Sequence, residues 1–370
     1  MYHTIMIQTT NACNMNCPYC FIKQRPASHI TVEDVEVQLP YVQRVSRLMD
    51  PTFTEDTQYV IDYFGGEPLL NFDTILALHD RVFSRNVVPF HSEHVVTNAL
   101  LLTWEKLDAL NKRNIYMYYS FDGLWDPPES IAVHEQFLAD GLLKPDAAKT
   151  MIAPEHAGDI VENYLYFVDQ LGWTCPGFMF IHDDVWSYET VDIAKQQLHK
   201  LVDIMVARTL ASVDKCYCVK CINLAIADMI RCKLHGKRDF MCFAGRYGML
   251  LTPDRKIYPC PRIYMDDKYM LVDANTGKVF EDQIQKLVYG FNTSNMSECD
   301  GCEIQYCCKT GCAYTQYLFG EEHRMKPVPV ICELIKACYA EATRYCKLLA
   351  SNAAFKKMLA NIDTEIMVDL

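Results

Sequence analysis

The 370-residue sequence contains no run of lysine or arginine and carries a formal net charge of -12. A nucleic-acid footprint needs a basic patch or stripe, so that class is set aside. No stretch approaches the roughly 18 uninterrupted apolar residues that suggest a membrane helix. The opening, MYHTIMIQTTNAC, lacks the basic n-region and cleavage site of an export signal. The expectation is a cytoplasmic protein with no membrane and no nucleic-acid partner. That compartment keeps thiols reduced, so the 18 cysteines do not read as a disulfide framework. They read as metal ligands, and their placement is uneven: three near the start, Cys175 alone in the middle, and fourteen from Cys216 to Cys346. The shift marks a boundary near residue 212.

Half of the residues are hydrophobic, enough for a sizeable core, and the length suits one large domain with a smaller one. Short apolar or aromatic runs at 4–9, 58–64, 94–98, 115–121, 149–153 and 177–182 alternate with helical patterns near 32–49, 72–85, 103–112, 157–171 and 188–209. Six strands alternating with helices in this way imply a parallel sheet. The expected fold is α/β, a partial (β/α)6 TIM-like barrel followed by a small cysteine-rich domain and a C-terminal helix. The expected boundaries are 1–211 for the barrel, 212–240 for a bridging helical segment, 241–335 for the cysteine-rich domain and 336–370 for the C-terminal helical segment.

In barrels the chemistry sits on loops after the strands, and the polar motifs fall there. Cys13, Cys17 and Cys20 form a C-x3-C-x2-C run after the first strand. Three thiolates would hold three corners of a four-iron cluster and leave one iron for a non-protein ligand, since such cubes ordinarily take four cysteines. A zinc loop or a few buried thiols is the plainer reading of the spacing. Gly65-Gly66-Glu67-Pro68 follows the second strand; its glycines permit close backbone approach, and Glu67 could accept from an ammonium. Asn98 ends the third strand, and Ser120 and Asp122 end the fourth, suited to ribose hydroxyls or a carboxylate, or to ordinary loop polarity. On the fourth strand Tyr116, Tyr118 and Ser120 share one face, and core filling is the expectation for the two tyrosines.

The three-cysteine loop followed by GGEP resembles the radical S-adenosylmethionine superfamily, over roughly residues 1–210. The resemblance implies a [4Fe-4S] cluster on Cys13, Cys17 and Cys20 that binds S-adenosylmethionine. Tyr19 would lie against the adenine, Gly65, Gly66 and Glu67 by the methionine amino group, and Asn98, Ser120 and Asp122 near the ribose or carboxylate. Relatives often place an arginine after the fourth strand for that carboxylate; none occurs between Arg113 and Arg208, and Lys149 is the substitute at hand.

Cys299, Cys302, Cys308 and Cys312, preceded by Cys242 and Cys260 and followed by Cys332, resemble the seven-cysteine SPASM domain of peptide- and protein-modifying enzymes. That likeness implies two auxiliary [4Fe-4S] clusters, one on Cys242, Cys260 and Cys312, the other on Cys299, Cys302, Cys308 and Cys332. Cys232 is the nearest candidate for the missing ligand of the first, Cys221 another. Arg255 stands where the pattern has glycine. Cys216, Cys218 and Cys221 match nothing in it and are left open between metal or redox use and a structural role. Cys307, Cys338 and Cys346 read as small buried hydrophobes.

The resemblance implies an oxidative modification of a peptide or protein substrate, driven by a low-potential donor of flavodoxin or ferredoxin type. Relatives that make formylglycine place an aspartate after the second SPASM cysteine, where this chain has Pro261 and Arg262, so thioether or carbon-carbon crosslinking of a ribosomally made peptide leads. Formylglycine formation and small-molecule dehydrogenation stand behind it. Only twelve residues precede Cys13, too few for a leader-binding domain, so a separate leader-binding protein is a candidate partner. The alternatives outside enzymes are an iron-sulfur electron carrier and a zinc scaffold. The run after Cys332 reads as one or two amphipathic helices packed on the body.

Overall fold

The computed structural model describes residues 2–22, 26–85, 88–182, 185–236, 244, 246–264, 266–290, 295–308, 311–320 and 326–365. These fall into two compact units that interleave along the chain, one built from 2–120 and 244–295, the other from 121–236, 296–320 and 326–365.

The strands are β1 (His3–Thr10), β2 (Tyr59–Gly65), β3 (Phe90–Thr97), β4 (Ile115–Ser120), β5 (Ala148–Ile152), β6 (Phe178–Phe180), β7 (Gly248–Leu251), β8 (Lys256–Tyr258), β9 (Val272–Asp273) and β10 (Lys278–Val279). The helices are α1 (Val32–Met49), α2 (Phe72–Arg81), α3 (Trp104–Asn111), α4 (Pro128–Ala139), α5 (Ile160–Leu165), α6 (Tyr188–Ala211), α7 (Lys220–His235), α8 (Glu281–Gly290), α9 (Ala313–Phe319), α10 (Pro329–Leu349) and α11 (Ala353–Glu365). From β1 to α6 the order is six strand-helix steps, the mostly parallel α/β arrangement expected of a partial TIM-like barrel.

In the first unit the sheet order is β10-β9-β8-β7-β1-β2-β3-β4, parallel from β7 through β4 and antiparallel from β7 to β10. The run GMLL of β7, wholly buried, supplies the far neighbour of β1 from late in the chain. One sheet face is fixed by α1 and α2. Helix α1 buries Val35, Leu39, Val42, Val45 and Met49 at helical spacing, and its first turn is closed by a Thr31/Asp34 capping box. From β2 and β3 of the same face, the Tyr63 hydroxyl and the His79 ring of α2 both bond to the buried Glu93 carboxylate. The opposite face carries Met6, Leu250, Tyr258, Tyr264 and Met270, with Phe64 and Phe280 against them.

In the second unit β5 pairs parallel with β6. Helix α10 packs on α6 and α7, with Leu334, Ile335, Cys338, Ala342 and Tyr345 buried. Arg344 reaches Asp203 of α6 at 2.7 Å, and Lys195 of α6 reaches Glu333 at 3.1 Å.

Candidate functional site

Gly65 ends β2 and Gly66 follows it, beside the start of the three-cysteine loop. A Cβ on Gly65 would stand 2.4 Å from the Thr10 carbonyl oxygen, and one on Gly66 2.1 Å from that of Ala12. The glycines thus serve an approach of loop to loop. The Gly66 N–H donates to Thr10 O at 2.7 Å and the Glu67 N–H to Ala12 O at 2.8 Å. Asn71 donates to the carbonyls of Thr9 and Ile30, and Asn11 to Pro26 O and Ser28 Oγ, which pins both ends of the loop.

The carboxylate of Glu67, read from the sequence as an acceptor for an ammonium, is fully buried and takes up donors of its own fold. Leu69 N–H (2.9 Å) and Thr97 Oγ1–H (2.6 Å) donate to one oxygen, and Asn98 N–H (2.7 Å) to the other. Burial pushes its pKa up, against the pull of those three donors. Asn98 extends the link to the cysteines: its amide donates to Asn14 Oδ1 at 2.8 Å and to Cys13 Sγ at 3.9 Å.

The cysteine sulfurs accept from the loop backbone, Met15 N–H to Cys13 Sγ and Ile22 N–H to Cys20 Sγ, both at 3.4 Å. Burial raises the Cys13 thiol pKa, and Glu67 and Cys20 are close enough to raise it further. Among the described residues no three His, Cys, Asp or Glu side chains are drawn around the point one metal ion would occupy. A four-iron cube takes its thiolates at separate corners, and a set of three cysteines, with backbone N–H donors on the sulfurs of Cys13 and Cys20, is a donor set that fits three of them. Tyr19 is half-buried in the turn before Cys20. Phe21, after it, stacks on Phe64 of β2 (6.2 Å, 15°) and lies under the guanidinium of Arg262 (5.3 Å).

Ser120 ends β4 half-buried in the first unit. Tyr119 is fully buried, whereas of the two tyrosines expected to fill the core Tyr116 is 60% exposed and Tyr118 half-buried: Tyr116 sits on the open face with His94 beneath its edge. Asp122 belongs to the second unit, where Met151 N–H donates to it at 2.7 Å. Asp126 accepts from Asp122 N–H at 2.9 Å, and burial lifts its own pKa to about 6.

Cys260 is buried just past β8 in the first unit, and Cys242 lies outside the described residues. The second unit holds the others. Cys302 N–H donates to Cys299 O, and Cys332 opens α10. Burial lifts the Cys332 thiol to about 11, with Cys299 and Cys302 close enough to add to the effect. Cys308 N–H donates to Ile304 O at 2.8 Å, and Cys312 precedes α9. Cys232, on the last turn of α7, neighbours Cys307.

Of the unmatched triplet, Cys216 contacts the Tyr345 hydroxyl at 3.2 Å, Cys218 meets Cys175 and Cys221 meets Cys338, and Cys175 is close enough to all three to raise their thiols. Burial holds the thiol of Cys218 well above its ordinary pKa, and the Cys338 contact does so for Cys221.

Sequence reasoning missed the Asp62–His94 pair and Arg262 over Phe21. The alternation in YVIDYF puts Asp62 and Phe64 on one face, a signal that was available.

Residues 7–136 match the radical SAM superfamily model. A stretch of 121 residues is 26% identical to an uncharacterised protein of Methanocaldococcus jannaschii, covering 32% of this chain and 38% of that protein. Another of 128 residues is 27% identical to the radical SAM cyclopropyl synthase TigE of Paramaledivibacter caminithermalis, covering 32% of this chain and 26% of TigE. The matches thus span well under half of either relative. Among solved structures, anSMEcpe with bound AdoMet superposes with a TM-score of 0.69 at 16% identity over 98% of both chains. Streptococcus suis SuiB bound to S-adenosylmethionine gives 0.51 at 15% identity, over 89% of this chain and 75% of SuiB. At such identities the likeness establishes the fold.

Proposed function

We infer from the radical SAM domain of residues 7–136 that this chain cleaves S-adenosylmethionine and uses it to modify a peptide oxidatively, by thioether or carbon-carbon crosslinking. When bound, a [4Fe-4S] cluster with S-adenosylmethionine supplies a 5'-deoxyadenosyl radical able to take a hydrogen atom from carbon. The observation that carries the reading is the joining of the three-thiol loop to the GGEP loop through Thr10, Ala12 and Asn98.

Cys13, Cys17 and Cys20 would hold the cluster, with the N–H donors of Met15 and Ile22 on two of the sulfurs. Glu67, engaged by three donors, orients the ends of β2 and β3 and stays with Gly65 and Gly66, and with Tyr19 of the cysteine loop, among the candidate ligand contacts. Asn98, Ser120 and Asp122 remain the candidates for ribose and carboxylate. The SPASM-type cysteines Cys242, Cys260, Cys299, Cys302, Cys308, Cys312 and Cys332, with Cys232 as an added ligand, would hold two auxiliary clusters. Pro261 after Cys260 offers no proton acceptor, which favours crosslinking over formylglycine formation. A flavodoxin or ferredoxin would supply electrons in the cytoplasm.

The test is anaerobic reconstitution with iron and sulfide counts, followed by a dithionite-driven assay for 5'-deoxyadenosine. Replacing Cys13, Cys17 and Cys20 together by alanine should remove that product and about one third of the iron expected for three equal clusters. Continued 5'-deoxyadenosine formation by the triple variant would refute the assignment.

A further inference from the structure

Asp62, Phe64, His94 and Tyr116 share the sheet face opposite the one that α2 covers through Tyr63, His79 and Glu93. The register sets Met6, Asp62, His94 and Tyr116 side by side on β1, β2, β3 and β4. His94 Nδ1 and Asp62 Oδ1 are 3.1 Å apart, and the edges of Tyr116 and Tyr118 close on the imidazole at 5.8 and 5.4 Å. His94 is 5% exposed and Asp62 25%, so the histidine is the buried member and the carboxylate the accessible one. Asp62 Oδ2 has no hydrogen-bond partner among the described residues. Two residues on, about 7 Å along β2, Phe64 stacks on Phe21, the neighbour of Cys20.

A carboxylate oriented by a buried histidine, on the face that reaches the three-cysteine loop, is a device for taking a proton. We propose that Asp62 is the proton acceptor for the substrate and that His94 is its positioning residue. The proposal rests on the crosslinking reading, which requires one. Joining a carbon to a thiol sulfur removes a hydrogen atom from C–H, which ends in 5'-deoxyadenosine. It also removes a proton from S–H and one electron. The proton goes to Asp62 Oδ2 and the electron to an iron-sulfur centre, while the C–S bond forms. With Pro261 after Cys260, no carboxylate directly follows that cysteine to do this.

The experiment uses the reconstituted full chain with S-adenosylmethionine, dithionite and a pool of short synthetic cysteine-containing peptides. It compares wild type with Asp62→Asn, Asp62→Glu and His94→Phe. Product is read as peptide that has lost two hydrogens, and 5'-deoxyadenosine is read in the same sample. Asp62→Asn should raise the ratio of 5'-deoxyadenosine to product by about 100-fold or more, the usual reach of general base catalysis. His94→Phe should raise it less. Asp62→Glu, and formate added to Asp62→Gly, should bring it back toward wild type. An unchanged ratio in Asp62→Asn would overturn the assignment of Asp62 alone. A parallel fall of both yields in Asp62→Asn and Asp62→Glu would make the residue structural and overturn it too. Wild type that forms 5'-deoxyadenosine but no crosslinked peptide would instead overturn the crosslinking reading beneath it.

Discussion

Gly66 tolerates no side chain, because the nearest atom to an added Cβ is a backbone oxygen that cannot swing away. Gly66→Ala should cost about 1–3 kcal/mol in urea unfolding of the cluster-free protein, as overpacking does, and should lower iron retention after reconstitution. Arg255 makes a contrasting case. It occupies a positive φ of 59° where a glycine would be unstrained, and its Nε pairs with Asp34 at 2.7 Å. Burial pushes Asp34 up, but Arg255 and Thr31 prevail and hold it below the usual carboxylate range. The strain is about 1–2 kcal/mol, while a part-exposed ion pair contributes about 0–1 kcal/mol. Arg255→Gly should therefore match or exceed wild-type stability at pH 7, and Arg255→Ala should fall below it. Because a depressed Asp34 stabilises the fold above its unfolded pKa and loses that as pH falls through its folded value, Arg255→Gly should also show the smaller acid loss.

Helix α4 shows why one element escaped the sequence reading. It buries Ser130 and His134, not apolar residues, so PESIAVHEQFLA carries no clear apolar stripe. Just before it, Asp126 has a pKa raised by burial to about 6. The folded state thus binds a proton that the unfolded chain releases near pH 4, and stability declines as pH rises from about 4 past 6. Asp126→Asn should stabilise by about 1–3 kcal/mol at pH 8, a gain that vanishes by pH 4 in parallel denaturation curves. For α10, burial and not charge decides. Leu334→Ala should cost about 2–5 kcal/mol, whereas Arg344→Ala at the exposed pair with Asp203 should cost under about 1 kcal/mol, as thermal unfolding will read.

On the scale of the whole chain, period-two and helical spacing gave five of the first six helices and all six strands within a few residues, and the three-cysteine loop was legible outright. What stayed hidden depends on long-range pairing. GMLL of β7 joins β1 from more than 230 residues away, and nothing local in either run names the other. The partners of Cys216, Cys218 and Cys221 were equally invisible, since Tyr345, Cys175 and Cys338 come from other segments. His94 and Asp62 lie 32 residues apart, brought together only by the pairing of β2 with β3.

The pairing of β1 with β2 acts as a check on itself. A shift by one residue would turn Phe64 or Glu67 into the gap where Gly65 and Gly66 now touch Thr10 and Ala12, and every side chain of β2 would change faces. Only the correctly threaded strand pair can form the bed beneath Cys13, Cys17 and Cys20, so a slipped register would leave the proposed cluster site unformed.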